Sequence, residues 1–443
     1  MRDLLISMFL VGMIPWALRR PMVAVLMFGV ISIMSPHRYT WGFAYSFPWA
    51  VTYAVVMTLS VLVHRGNGLM PAVRLYWLPL MFFAWTGVTT FFALDSTAST
   101  GRFTEVLKVQ YAVLLALVCM RTGREAVALM LLVAGSLGLY ALKGFAFMLR
   151  TGGTFRVAGA PDTSLADNNS MALALIIIIP LLYWIAGQIT NRKAKAVVWI
   201  TLAGAVFSAI GSYSRGAFLA LGVVGAFMFV RSHRKWPMVM AVVPIGLLAL
   251  GFMPQQFWER MSTISSYNAD ASAVGRLVAW ETAFNVANAR LTGGGFSFYL
   301  VPENFWRFSP PDAFVRAAHS IYFQVLGDHG WIGLLLFLLV IAQVMFRMQR
   351  EIWHERRALR AGSSTSSSRL ELFQALQLSL IAYLAGGAFL SVAYWDITWY
   401  LVGLGLFLAA RRDLKVELPE LPRRASRRPA PRPAFGRTSV PPA

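Results

Sequence analysis

The chain has 443 residues, 57% of them hydrophobic and 13% charged, with a formal net charge of +21. A soluble domain typically carries roughly 25% charged residues, so this composition excludes a soluble globular protein. The basic residues sit in short connections and in the carboxyl tail, a membrane-protein pattern that argues against nucleic acid as a partner.

Apolar runs predict helices over about 4–18, 21–34, 48–63, 75–93, 104–120, 125–149, 169–188, 195–210, 213–230, 236–252, 320–346, 370–392 and 396–411. Each is long enough, or nearly so, to cross about 30 Å of hydrocarbon, and a helix satisfies its own backbone there. The first run follows Arg2 and precedes Arg19-Arg20 without a small-residue cleavage pattern, so it reads as retained rather than as a signal peptide. Pro15 and two short segments leave twelve or thirteen crossings open, and about twelve is the favoured number. The lone cysteine, Cys119, lies inside a predicted span and has no intramolecular disulfide partner.

The fold class expected is all-α, a polytopic membrane protein of about twelve transmembrane helices with a large loop that carries short helices. It divides into amino-terminal helices over 1–149, central helices over 150–252, the loop over 253–318, carboxyl-terminal helices over 319–411 and a disordered basic tail over 412–443. Arg423-Arg424, Arg427-Arg428 and repeated Pro give that tail no apolar periodicity. Basic connections face the cytoplasm. The connections at His64 to Arg74, Arg121 to Arg124, Arg192 to Lys195, Arg231 to Lys235 and Arg347 to Arg369 then lie inside with the tail. Those at 35–47, 94–103, 150–168, 211–214, 253–318 and 393–395 lie outside.

The loop of about 66 residues, Met253 to Ala318, is the chain's longest polar interruption. Within it Asp270 to Arg290 reads as a helix, with Leu277, Trp280, Ala283 and Phe284 at three- and four-residue spacing and Gly293-Gly294-Gly295 as its stop. The outward placement sets Arg156, Arg215, Arg276 and His319 on one membrane face. Taken singly, Arg156 belongs to a solvated connection, Arg215 is an arginine reaching for headgroups, Arg276 lies on a solvated helix face and His319 is an interfacial histidine. Together they suggest a pyrophosphate-bearing ligand, because guanidinium forks bind phosphate oxygens in pairs and keep their charge. Imidazole accepts a proton near neutral pH, which makes His319 the candidate base, and His329, deeper in the same run, a weaker one. No metal is expected, since the chain has no Asp-x-Asp pair, no His-x-x-x-His and no paired cysteines.

At these residues the chain resembles the O-antigen ligase family of bacterial polytopic glycosyltransferases. The matching stretches are Ser214-Arg215-Gly216, then Gly275-Arg276 with Trp280 and Gly293 to Gly295. His319 follows with Tyr322, Leu326-Gly327 and Gly330-Trp331-Ile332-Gly333-Leu334. Where the family often has asparagine after the histidine, this chain has Ser320. The amino-terminal third resembles the subgroup of ligases associated with exosortase systems.

The resemblance implies transfer of a glycan from undecaprenyl diphosphate to a hydroxyl of lipid A core oligosaccharide, without cofactor or metal. It implies a multi-pass protein of the bacterial inner membrane whose loop and site face the periplasm. Arg215, Arg276 and Arg156 would then bind the diphosphate and His319 would act as base. An O-antigen polymerase, a protein O-glycosylation ligase and a lipid-linked glycan transporter stay open as alternatives.

Overall fold

The computed structural model describes residues 1–64, 71–231, 235–262, 271–311, 313–361, 367–416 and 418. Among these the regular structure is entirely helical. In chain order the long helices are α1 (Arg2–Arg19), α2 (Pro21–Gly29, continued as a π turn over Val30–Met34), α3 (Trp49–Val63), α4 (Trp77–Phe91) and α5 (Ser96–Cys119). They continue with α6 (Gly123–Thr151), α7 (Asn168–Gln188), α8 (Arg192–Ile210), α9 (Arg215–Arg231) and α10 (Lys235–Gly251). The loop helix α11 (Ala271–Ala289) precedes α12 (Ile321–Arg360), α13 (Ser367–Gly387) and α14 (Asp396–Ala410). Five of them, α6, α7, α8, α12 and α13, are long and apolar enough to cross a membrane, and five shorter apolar helices accompany them. The chain is a polytopic helical membrane protein.

The sequence explains where these helices start. Asp95 caps α5 by accepting from the Thr97 and Ala98 amides, and Thr122 with Glu125 forms a capping box on α6. Asp167 caps α7 through the Ser170 amide at 2.9 Å, and Asn191 caps α8. Pro180 lies inside α7, the most deeply packed of the long helices, whose residues from Ser170 to Leu182 are all buried.

Contacts between connections sort the molecule into two ends. At one end the Leu94 amide donates to Gly294 O at 2.9 Å, Val157 N to Gly211 O at 3.0 Å and the His319 amide to Ser391 Oγ at 2.9 Å. Tyr45 bonds Asp162 at this end too, which brings in the connection after α2. At the other end the Trp184 indole donates to Ser368 O, and Gly123 lies against the Lys415 carbonyl. The polar connections joined by these bonds thus lie together at one end, and the described stretches around Gly123 and Ser368 lie at the other.

Two details add to the sequence reading. The first segment packs as a full member of the bundle: Tyr53 Oη donates to Leu10 O at 2.6 Å, Ser60 Oγ to Leu18 O at 2.9 Å and the Ala44 amide to Asp3 Oδ1 at 2.9 Å. Among the described residues the bundle thus has thirteen helices besides α11, α1 among them, and the Ala44–Asp3 bond sets the amino terminus beside the connection after α2. The run over 320–346 is also not one uniform helix. It breaks at Gly330, at φ 67 and ψ −171, and then continues helically to Arg360.

That break receives the loop. Gly294 N donates to Gly327 O at 2.8 Å and Gly295 N to Asp328 O at 2.9 Å, so the triple glycine after α11 docks on the carbonyls around the kink. A Cβ on Gly293 would stand 2.6 Å from Gly330 N, and one on Gly330 would stand 2.4 Å from Leu291 O; both residues have positive φ. Glycine is required there by space and by conformation together. The Trp331 indole to Asn288 Oδ1 bond at 3.0 Å and the parallel stack of Trp280 on Phe323 at 4.8 Å fasten α11 along α12.

At the opposite end the tail does not leave the bundle at Arg411. Arg412 forms a bidentate pair with Glu351 at 2.6 and 2.7 Å. Arg369 pairs with Glu355 at 3.0 Å and donates to the Leu408, Arg411 and Leu414 carbonyls. The rest of the predicted tail, beyond Leu418, lies outside the described residues, as does Asp270 at the predicted start of the loop helix.

Candidate functional site

His319 sits at the junction between the extended stretch after the loop and α12, one residue before the helix N-cap Ser320. Its backbone is left-handed at φ 44, which for a residue with a Cβ costs on the order of 1 kcal/mol or more and persists only where neighbours impose it. Two bonds impose it here: the Trp280 indole donates to Ala318 O at 2.7 Å, and the His319 amide donates to Ser391 Oγ. The imidazole is therefore carried on a segment pinned from both α11 and the turn between α13 and α14.

Three charges reach that imidazole. Burial first, then the guanidinium charges of Arg276 and Arg316, hold its pKa below the ordinary histidine value, and the Asp167 carboxylate opposes them. His319 is thereby kept neutral and able to accept a proton through neutral pH. Arg276 comes from the first turns of α11, Arg316 from the stretch before His319, and Asp167 from the cap of α7. The Arg316 guanidinium lies against Gly275 of α11, with Nη1 2.1 Å from where a Cβ would stand.

Arg215 opens α9, whose next residue meets the same turn that binds the His319 amide. Gly216 approaches Phe389, 3.4 Å from its would-be Cβ to that ring's Cβ, two residues before Ser391. The turn ahead of Arg215 is built from buried Ser212, Tyr213 and Ser214. Tyr213 is left-handed at φ 60 and is held by its hydroxyl, which donates to Gly153 O at 2.6 Å. Asn168 donates to Ser212 O at 2.7 Å, so the loop over 150–168 braces this turn. Burial raises the Tyr213 phenol and the charge of Arg156, an exposed residue of the same loop, pulls it back.

Of the residues singled out from sequence, Arg276 and His319 are brought within electrostatic reach, Arg215 opens the helix that meets the turn holding His319, and Arg156 acts on Tyr213 in the turn before Arg215. Arg316 and Asp167 were not singled out. Arg316 lies three residues before the histidine, and Asp167 lies in the polar run Asp167-Asn168-Asn169, but only the fold turns either toward the imidazole. His329 is fully buried, bonded through Nδ1 to Thr89 Oγ1 at 2.6 Å and ringed by Phe82, Phe296 and Tyr394, so it belongs to the packing of the kink. Among the described residues no group of three His, Cys, Asp or Glu side chains is placed to hold a metal ion. What the site offers is fixed positive charge beside a neutral base.

An all-helical membrane protein with guanidinium groups and an imidazole at one end is the class that fold and site define. Residues 200–338 match the O-antigen ligase family, a family of membrane glycosyltransferase-like ligases, and this match supports the resemblance read from the sequence. That stretch contains Arg215, Arg276, Arg316 and His319. Residues 1–190, which contain Arg156 and Asp167, match a family of unknown function (DUF5935). No curated protein matches the chain.

Proposed function

We propose that this protein is an O-antigen ligase that transfers a glycan from undecaprenyl diphosphate to a hydroxyl of lipid A core oligosaccharide, on the periplasmic face of the bacterial inner membrane. The observation that carries this reading is the meeting of Arg276, Arg316 and His319, with the start of α9 against the α13–α14 turn that binds the His319 amide. The orientation follows from the basic connections at the opposite end, which the cytoplasm retains.

In the reaction the acceptor hydroxyl attacks the anomeric carbon of the donor sugar and gives its proton to His319. The bond from that carbon to the diphosphate oxygen breaks with its electron pair, and undecaprenyl diphosphate leaves. One direct displacement inverts the anomeric configuration. Arg215 and Arg276, with Arg156, stabilise the charge that develops on the departing diphosphate, a role otherwise open to Mg2+. Fixed guanidinium donors need no reorganisation as that charge appears.

The test is a reconstituted assay with purified protein, undecaprenyl-diphosphate-linked glycan and lipid A core oligosaccharide, in the presence of a chelator. Glycosylated lipid A core with release of undecaprenyl diphosphate is the expected product. Elongated carrier-linked glycan would assign a polymerase, and glycosylated protein a protein ligase. Movement of the labelled donor between leaflets without transfer would assign a transporter, and strict Mg2+ dependence would remove the metal-free mechanism.

A further inference from the structure

Arg316 has no part in the function as proposed from sequence, yet the structure builds a seat for it. Its guanidinium occupies the space beside Gly275 where a side chain would stand, with Nη1, Cζ and Nε at 2.1, 2.7 and 3.1 Å from the position a Cβ would take. That seat is one residue from Arg276 on α11. Arg316 also lines a narrow cleft under the loop helix, with Ala279, Ala283, Gln324 and Asp328 among its walls. The backbone that carries it is fixed two residues on, where Ala318 O accepts the Trp280 indole.

We infer that Arg316 is a further contact for the lipid diphosphate and that Gly275 is the specificity-determining residue that keeps its seat open; this rests on the function proposed above. The chemistry is that of a polyanion. Two like charges brought together beside an imidazole concentrate positive potential in one recess, which favours a ligand with two adjacent phosphates over one with a single phosphate. A guanidinium fork also fixes the orientation of the phosphate it holds, which a point charge does not. The charge of Arg316 reaches His319, so a diphosphate held there lies beside the base.

Gly275 makes the idea separable from a structural role. It lies within α11, and what a methyl group would meet is the far end of a flexible side chain rather than backbone. Gly275→Ala therefore displaces the guanidinium while favouring the helix. The experiment measures binding of undecaprenyl diphosphate and of undecaprenyl monophosphate to the full chain in nanodiscs, with thermal stability followed in parallel. Wild type is expected to prefer the diphosphate. Arg316→Gln should lose about 10-fold or more of the diphosphate affinity and little of the monophosphate affinity, with part regained by Arg316→Lys.

Gly275→Ala should show the same loss at unchanged or raised thermal stability, and it carries the test if Arg316→Gln fails to fold. Wild-type diphosphate affinity in Gly275→Ala and Arg316→Gln, alongside a loss in Arg276→Ala, would overturn the inference and leave the proposed function standing. A wild-type protein that does not distinguish the two carriers would instead overturn the proposed function, and the inference with it.

Discussion

The two ends of this bundle use arginine in opposite ways. At the tail end Arg369 and Arg412 lie against Glu355 and Glu351, and Arg369 also ties off the Leu408, Arg411 and Leu414 carbonyls. At the loop end Arg276 and Arg316 are arranged around an imidazole, with Arg215 at the start of the helix that meets the neighbouring turn. The first arrangement holds helices together, and the second, under the proposed function, receives the diphosphate. Counting arginines does not separate the two; what each guanidinium faces does.

Substitutions at the loop end should break transfer and spare the fold. Arg215→Ala and Arg276→Ala should each lower single-turnover transfer about 100-fold or more if each steadies the departing diphosphate. A purified Arg276→Ala protein that transfers at the wild-type rate would remove that residue from the reaction. The tail end should behave in reverse. Arg369 is 7% exposed and its partner Glu355 is 11% exposed, so Arg369→Met leaves a carboxylate nearly buried and unpaired at a cost of about 3–5 kcal/mol. The thermal midpoint in detergent should fall, and turnover per folded molecule should not.

Gly330→Ala joins the two kinds of effect. It forces a side chain into a left-handed position and onto Leu291 O, which should cost about 1–3 kcal/mol and shift α11 off the kink. Both the thermal midpoint and transfer should drop, and a drop in neither would show that the loop helix is held elsewhere. The smallest change expected is in pH dependence. His319 accepts a proton only when neutral, and its pKa lies below the ordinary histidine value, so transfer should persist into mildly acidic buffer. Removing a neighbouring positive charge raises that pKa, so the acid limb of the rate profile should move to higher pH in Arg316→Gln. It should move to lower pH in Asp167→Asn, where the opposing charge is lost.

Much of the fold was legible because apolar length and basic connections are local properties. The bundle helices and the loop helix follow from them. The break at Gly330 was not legible, since the apolar run passes through it and only the docked glycines of 293–295 require it. The amino-terminal helix was legible as an apolar run, but its place in the bundle was not, because that depends on distant partners such as Tyr53 and Ser60. The glycines of the family pattern gain a physical reason: Gly293, Gly327 and Gly330 let the loop after α11 dock closely on the kink of α12. Arg316 stayed hidden because its importance lies in what faces it, a glycine 41 positions earlier in the chain.

The measurement that reaches furthest into this reading pairs carrier binding with single-turnover glycan transfer in His319→Ala, reconstituted in nanodiscs. Wild-type affinity for undecaprenyl diphosphate with transfer abolished is the expected result. Weakened carrier binding with an intact single-turnover rate would contradict the imidazole as base and, with it, the site at the loop end.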